Sequence, residues 1–600
     1  MPRGEQVIGR AFRRSLVVIA AIAIAGVAAF LLSRDSGSSE ETREKDAGEI
    51  AGLPELDVVI PRVRFTDVTE AAGVDFVHRN GATGEKLLPE TMAGGVAFID
   101  HDSDGDPDLL FVSGTAWDGT GRGSSLRLYE NDGRGRFTDV TGPAGLDASL
   151  YGMGVAAGDV DNDGDTDLFI TAVGSNRLFE NDDGRFTDVT VAAGVAGDDD
   201  GWGSSAGFFD ADGDGDLDLF VLNYVRWSRE IDLAVAYTLN GRDRAYGPPV
   251  NFAGAHPHLY ENDGTGKFRE VSEPAGVRVL NSSQGTPVAK ALALTFHDHD
   301  GDGDLDVFVA NDTVRNFLFE NDGGMEFTEV GEEAGFAYDS SGTATGAMGI
   351  DVAWFRNDGT VGVGVGNFAN EATSLFVAEP DLGLFSCEST IEGIAAPSRP
   401  HLTFGVLFLD FDLDGRLDFL AANGHLEDEI AEVQSSQEYR QPAQLFWNAG
   451  SDARRCFVEV PATPETEDLR TLIVGRGVSA ADLDGDGDLD VVLTQTGGRP
   501  LLLRNDQATG HHWLRVRVVG GNGANRDGIG ALVTLTAGGV TQRRIVNPTR
   551  GYLSQTELPL TFGLGASTKV DSLVVTWPDG RAQTVSVSEV DTLVEVPRGE

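Results

Sequence analysis

The phrase Asp-x-Asp-x-Asp-Gly-x-x-Asp is written six times in this chain of 600 residues. Its positions 1, 3, 5 and 9 are Asp100, Asp102, Asp104 and Asp108; Asp159, Asp161, Asp163 and Asp167; Asp210, Asp212, Asp214 and Asp218; Asp298, Asp300, Asp302 and Asp306; Asp410, Asp412, Asp414 and Asp418; and Asp482, Asp484, Asp486 and Asp490. Carboxylates crowded in this way repel one another unless a cation sits among them. Hard oxygen ligands around a glycine turn suit Ca2+, which takes six to eight oxygens at about 2.3–2.6 Å. The expectation is about six Ca2+ ions, one per loop, with the carbonyl of position 7 as a fifth ligand beside the four side chains. Solvated acidic turns without metal are the competing reading.

An EF-hand opens in the same way but needs Glu at position 12 and flanking helices. Position 12 here is Phe111, Ile170, Val221, Val309, Ala421 and Leu493, none of which binds a metal. The flanks are short apolar runs, such as Gly95 to Ile99 before the first loop and Leu109 to Val112 after it. Such runs on either side of a turn predict the two buried strands of a hairpin. A second phrase alternates with the loops: Leu128 to Gly133 followed by Arg136 to Thr141, then Leu178 to Thr190, Leu259 to Ser272 and Leu318 to Gly331, and more loosely Leu375 to Thr390 and Leu445 to Val460. Its Asn-Asp-Gly step suits a tight hairpin turn with positive φ. Four strands per repeating unit describe a propeller blade.

Seven units result. The fifth, Gly349 to Gly359, keeps the frame but puts Trp354, Arg356 and Gly362 where Asp is required, so no metal is expected there. The seventh has no outer strand after Asn505 and Asp506, whereas Arg64 to Thr69 is an outer-strand phrase that precedes every loop. The N-terminal phrase is expected to complete the last blade and cover its open edge.

These loops resemble the FG-GAP (integrin-α-type) and VCBS repeats. The stretches from His512 to Val518, Asn525 to Ala531, Gly551 to Gln555, Phe562 to Gly565 and Val575 to Gly580 are similar to the ASPIC/UnbV domain, which accompanies FG-GAP repeats in the cartilage acidic protein family. The resemblance implies an all-β fold, a seven-bladed integrin-α-like β-propeller at 56–510 with a small β-sandwich at 511–600. It also implies a secreted or surface calcium-binding role without an agreed activity. Independently, the alternating pattern from Trp513 onward predicts seven short strands of a sandwich. Asn525 to Gly528 is its most polar constellation, read either as a loop facing the propeller or as a plain turn with Arg526 and Asp527 paired.

The N-terminus stands apart. Residues 1–14 carry Arg3, Arg10, Arg13 and Arg14; residues 15–32 form an apolar run of eighteen; residues 33–55 read as a flexible linker. The run is long for a signal sequence, just spans a bilayer, and lacks a clean cleavage site. It is read as an N-terminal membrane-spanning helix, in preference to a cleaved signal, with the basic end inside and the propeller outside the cytoplasmic membrane. The membrane is met through this helix only.

Net charge is −51, from 96 acidic and 45 basic side chains. Six divalent ions would still leave about −39, a surface that repels phosphate backbones, so no nucleic acid partner is expected. The two cysteines, Cys387 and Cys456, fall in outer strands of neighbouring units, where bridging geometry is unfavourable.

No strong catalytic signature is present. Gly203 to Gly207 matches Gly-x-Ser-x-Gly, but in a strand leading to a metal loop rather than a strand-to-helix turn. His101 and His299 occupy non-ligand loop positions and are expected to face solvent. An insertion, Arg226 to Ala255, ends at His256 and His258 and carries Trp227, Tyr237, Tyr246 and Phe252. These aromatics form either a sugar-stacking surface or the loop's private core, and no third ligand suggests a zinc site. His78 to Gly81 with Leu88 to Glu90 are placed to fold over one face near the ring axis. The chain therefore reads as an exported binding or adhesion module for an extracellular protein or glycan. The alternative is a calcium-dependent carbohydrate-active enzyme of lyase or dehydratase type.

Overall fold

The computed structural model describes residues 58–599 apart from 118–122, 240, 242, 380–382 and 522–523. The membrane-spanning helix expected at 15–32 lies outside the described residues. No helix among the described residues is long and apolar enough to cross a membrane.

Among the described residues seven sheets of four antiparallel strands from successive units carry the propeller, the first extended to six strands by Thr549–Arg550 and Ser554–Gln555. In the first, Val96–Ile99, Asp108–Val112, Leu126–Asn131 and Phe137–Asp139 lie in sequence order. The others open with Tyr151–Gly158, Gly203–Phe209, Ala291–His297, Ile350–Ala353, Thr403–Leu409 and Gly475–Ala481. Each first strand lies against the next, and Gly475–Ala481 returns to Val96–Ile99, so the sheets close into a propeller ring. These inner strands are buried along their whole length, which explains their unbroken apolar or small-residue runs. Glycine is needed where they touch: a Cβ on Gly349 would lie 2.1 Å from the Phe404 carbonyl oxygen. The N-terminal strand Phe65–Asp67 pairs with Leu501–Asn505, Phe65 opposite Asn505, and completes the seventh sheet as expected.

The C-terminal domain has a three-stranded sheet (Leu560–Gly565, His512–Val519, Thr592–Pro597) and a four-stranded one (Val540–Ile545, Leu532–Ala537, Ser572–Thr576, Ala582–Val585). Leu514, Val533, Phe562 and Val575 belong to a core that continues into Val160, Phe208 and Leu217 of the propeller. Residues 546–557 leave this domain and fill the ring's axis.

That plug touches the inner strand of every sheet. Gln555 pairs in parallel with Ala97, and its Nε2 donates to the Val155 carbonyl at 3.1 Å. Thr549 and Arg550 lie against Gly203–Phe209. Asn547 Nδ2 donates to Thr295 Oγ1 and the Phe296 carbonyl at 3.0 and 3.1 Å. Gly551 and Ile350 exchange both backbone hydrogen bonds at 2.9 Å. Arg550 donates to the Phe408 carbonyl at 2.7 Å, and Ser479 donates to the Gln555 carbonyl at 2.6 Å. From the opposite face the turn Leu88–Thr91 closes the axis: Tyr552 donates to the Met92 carbonyl at 2.7 Å.

Candidate metal centres

All six aspartate loops join a first strand to a second strand, at the face on which the C-terminal domain sits. The glycine at position 6 (Gly105, Gly164, Gly215, Gly303, Gly415, Gly487) has φ between +91° and +109°, a region that penalises any Cβ. This turns its N–H inward to donate to the position-1 carboxylate, at 2.8–3.3 Å. The position-5 carboxylate accepts from the position-7 N–H at 2.9–3.2 Å. These bonds hold the position-1 and position-5 side chains against the turn; positions 1 and 3 converge with position 9 in the first three loops and with position 5 in the fourth.

Carboxylate oxygens of Asp100, Asp102 and Asp108 lie within 4.8 Å of one another, as do those of Asp159, Asp161 and Asp167, of Asp210, Asp212 and Asp218, and of Asp298, Asp300 and Asp302. Burial first, and neighbouring carboxylates with it, push Asp159 and Asp210 up to about 7 and Asp167, Asp218 and Asp306 up to about 8. Burial, with neighbouring carboxylates, also raises Asp410, Asp418 and Asp490 well above the ordinary carboxylate range. Asp102 Oδ1 is buried without a hydrogen-bond partner. An all-oxygen donor set, electrostatically short of positive charge and with a lone pair to spare, fits a hard divalent cation.

Position 9 has a second task. Asp108, Asp167, Asp218, Asp306, Asp418 and Asp490 each accept from the position-2 N–H of their own loop and from the N–H of an asparagine closing the third strand. That asparagine is Asn131, Asn181, Asn262, Asn321, Asn448 or Asn505. Its Nδ2 crosses to the position-2 carbonyl of the preceding sheet's loop: Leu483, His101, Val160, Ala211, Phe355 and Phe411 in turn, at 2.7–3.1 Å. Six of the seven joints around the ring are stapled in this way; at the joint between the fourth and fifth sheets the position is Ala378, opposite Phe385 as Asn131 is opposite Phe137. The Asn-Asp-Gly step does supply positive φ, through its glycine, while its asparagine serves as the staple. Asn131 belongs to the strand, and positive φ falls on Gly133 and Gly135. The asparagine's recurrence was the available signal.

The fifth unit keeps the glycine turn (Gly359, φ +91°), but Arg356 stands at position 3, paired with Glu388 at 2.8 Å and Glu392 at 2.5 Å. His101 is buried and its Nδ1 meets Asp108, while His299 stacks on Phe385, so neither faces solvent freely. Ser205 lies inside a buried strand, without the turn a nucleophile needs. Trp227 and Phe252 of the insertion are buried with Trp202 and Tyr224 in one cluster, so these two are core, while Tyr237 is exposed. Cys387 and Cys456 are unpaired, and burial pushes the Cys456 thiol up to about 12.

The C-terminal domain supplies contacts that local sequence did not reveal. Arg515 meets Asp482 at 3.1 Å and also pairs with Glu557; Arg517 meets Asp100 at 3.4 Å. Asn525 to Gly528 does face the propeller. Arg526 donates to the Asp163 carbonyl at 3.0 Å, and Asp527 accepts from the Asp159 N–H at 2.8 Å, so these two residues are not paired as a private turn.

Residues 100–170, 159–221 and 410–493 match the family model of the FG-GAP-like repeat, each stretch running from position 1 of one loop to position 12 of the next. Residues 521–600 match the ASPIC and UnbV family. The chain carries FG-GAP-like repeats and an ASPIC and UnbV domain. This FG-GAP repeat chain is 29% identical over 348 residues to cartilage acidic protein 1 of Homo sapiens, covering 56% of this chain and 47% of that protein. It is 30% identical over 293 residues to the Xenopus tropicalis protein of that name, covering 47% and 41%. It spans about half the length of these curated relatives or less. Among solved structures it is similar to the Dos1 propeller (TM-score 0.33, 10% identity, 69% of this chain and 93% of that one) and to YCF48 bound to D1 peptide (TM-score 0.36, 9% identity, 70% and 94%).

Proposed function

We propose that this protein is an exported calcium-binding propeller, anchored in the cytoplasmic membrane by residues 15–32, that binds an extracellular protein or glycan and is not a catalyst. The observation that carries the calcium reading is the convergence of three carboxylates within 4.8 Å, repeated from loop to loop on a frame of position-1 and position-5 hydrogen bonds. Bound Ca2+ supplies the positive charge that lets these carboxylates stay ionised while buried. Side chains 1, 3, 5 and 9 hold it, and position 9 at the same time ties the loop to the third strand. The Asn staples pass the resulting rigidity from one sheet to the next. Loops are thus stiffened at the face where the C-terminal domain docks, which leaves rims and the opposite face as a fixed platform for a partner.

The test is equilibrium dialysis of the full chain with Ca2+, metal analysis, and thermal melting in calcium and in chelator. About six ions and a large upward shift of melting temperature are expected, because a cation that binds only the folded state stabilises it by mass action. No binding and no shift would refute the reading. In Asp484→Asn with Asp486→Asn, about one ion should be lost.

A further inference from the structure

On the face away from the aspartate loops, between the entry to the third sheet and its link to the fourth, lies a cleft of about 330 Å³. That size falls within the range of small-molecule sites, about 300–1,000 Å³. Trp202, His256, His258 and Arg278 line it, with Asp198 and Arg226. Trp202 Nε1, His256 Nδ1 and Arg278 Nε are buried without a hydrogen-bond partner, and His258 Nδ1 has only the Glu270 carboxylate, at 3.8 Å. Trp202 is only 1% exposed. A buried polar atom left unmet is costly, and three around one cleft are a concentration that folding alone does not require.

The fixed charges decide what kind of molecule can meet them. Arg278 is already engaged by Glu270 at 3.0 Å and Glu273 at 3.3 Å. Asp198 and Asp200 lie at the cleft opposite Arg226, and Asp198 approaches His258 Nε2 at 3.8 Å. Two guanidinium groups among four carboxylates give no net attraction for an anion. A bare cation would face the indole N–H and two guanidinium groups. Burial holds both imidazoles below their ordinary value, hence neutral, so each offers one donor and one acceptor. No ring face is open for stacking an apolar ligand, since Trp202 packs edge-on against Tyr224 and Trp227. What the cleft asks for is a neutral group with several hydroxyls, each able to accept from Trp202 or Arg278 and donate to Asp198. A hydroxyl reproduces the hydrogen bonds of the water it displaces.

We infer that this cleft binds a sugar residue of a neutral glycan. The inference rests on the binding-module reading above and names its ligand class, but it does not depend on calcium, because none of these side chains belongs to an aspartate loop. The experiment applies the full chain, with and without Ca2+, to an array of neutral and acidic oligosaccharides, then titrates free oligosaccharide by calorimetry. Binding to neutral glycans is expected. Trp202→Phe removes the N–H together with part of the ring, so it should lower the melting temperature somewhat and, in protein still folded at the assay temperature, weaken binding roughly 3- to 10-fold. His258→Ala should weaken it about 10-fold or more.

Four results would overturn the inference: no saccharide bound at millimolar concentration, recognition confined to acidic glycans, affinity unchanged in both variants, or Zn2+ binding that His256→Ala abolishes. Calcium binding without glycan binding would sink this site alone; glycan binding without calcium binding would sink the calcium reading alone.

Discussion

Replacing Arg550 by Met should loosen the plug that joins the two domains. The guanidinium makes a two-pronged pair with Asp351, at 2.8 Å through Nε and 2.7 Å through an Nη, and also donates to the Phe408 carbonyl at 2.7 Å. The Asp351 side chain is fully buried. Removing one partner of a buried ion pair costs about 3–5 kcal/mol, because the other charge is left without compensation. Two N–H donors, Val352 at 2.9 Å and Phe408 at 2.6 Å, would still reach Asp351 and hold the loss near the lower end, about 3 kcal/mol. Met occupies similar volume, so little of this comes from a cavity. Hydrogen exchange reads it locally: the Gly551 amide, bonded to the Ile350 carbonyl at 2.9 Å, should lose roughly 100-fold of its protection. Adding Asp351→Leu should restore most of it, since an apolar pair of matched size replaces a buried ion pair at little loss. Less than a twofold change in Arg550→Met, or a double variant as loose as the single, would refute the claim that this pair locks the plug.

The inter-sheet staples predict that Asn262→Ala lowers stability by about 2–4 kcal/mol in urea denaturation, because the Val160 and Leu217 carbonyls and the Gly264 N–H all lose their partner; a loss under 0.5 kcal/mol would mean water takes its place. The joint between the fourth and fifth sheets, where Ala378 replaces the asparagine, should exchange amide hydrogens fastest around the ring; uniform exchange would count against the staples. Metal-free protein should become more stable as pH falls from about 8 to about 4. Asp159, Asp167, Asp210, Asp218 and Asp306 have folded values raised to about 7–8, so folding takes up protons, and their contribution is full below the unfolded value and lost as pH rises through the folded one. Saturating Ca2+ should flatten or invert that trend in melting curves, since cation and proton compete for the same oxygens.

Repetition makes the architecture legible in the sequence alone. A loop that places carboxylates at positions 1, 3, 5 and 9 is a local pattern, and so is an apolar run that must be a buried strand. Repeated, they specify both the sheets and the register of every loop, and Phe65–Asp67 had to find the one sheet lacking an outer strand. Partnership over long separations left no such trace. Asn262 meets Val160 from a hundred residues away, and Arg550 meets Asp351 from two hundred. Residues 546–557 carry no apolar run that marks them as interior, yet Tyr552 and Gln555 are buried because seven inner strands leave an axis that this segment fills. Trp227 looks like a binding aromatic until Trp202 and Tyr224 are seen packed around it, and Trp202, His256 and Arg278 form a cleft only after sheets two to four are in place. Sequence determined which groups this protein carries and how its strands repeat; tertiary structure alone decided which of them are buried, because burial belongs to a residue's surroundings and not to the residue.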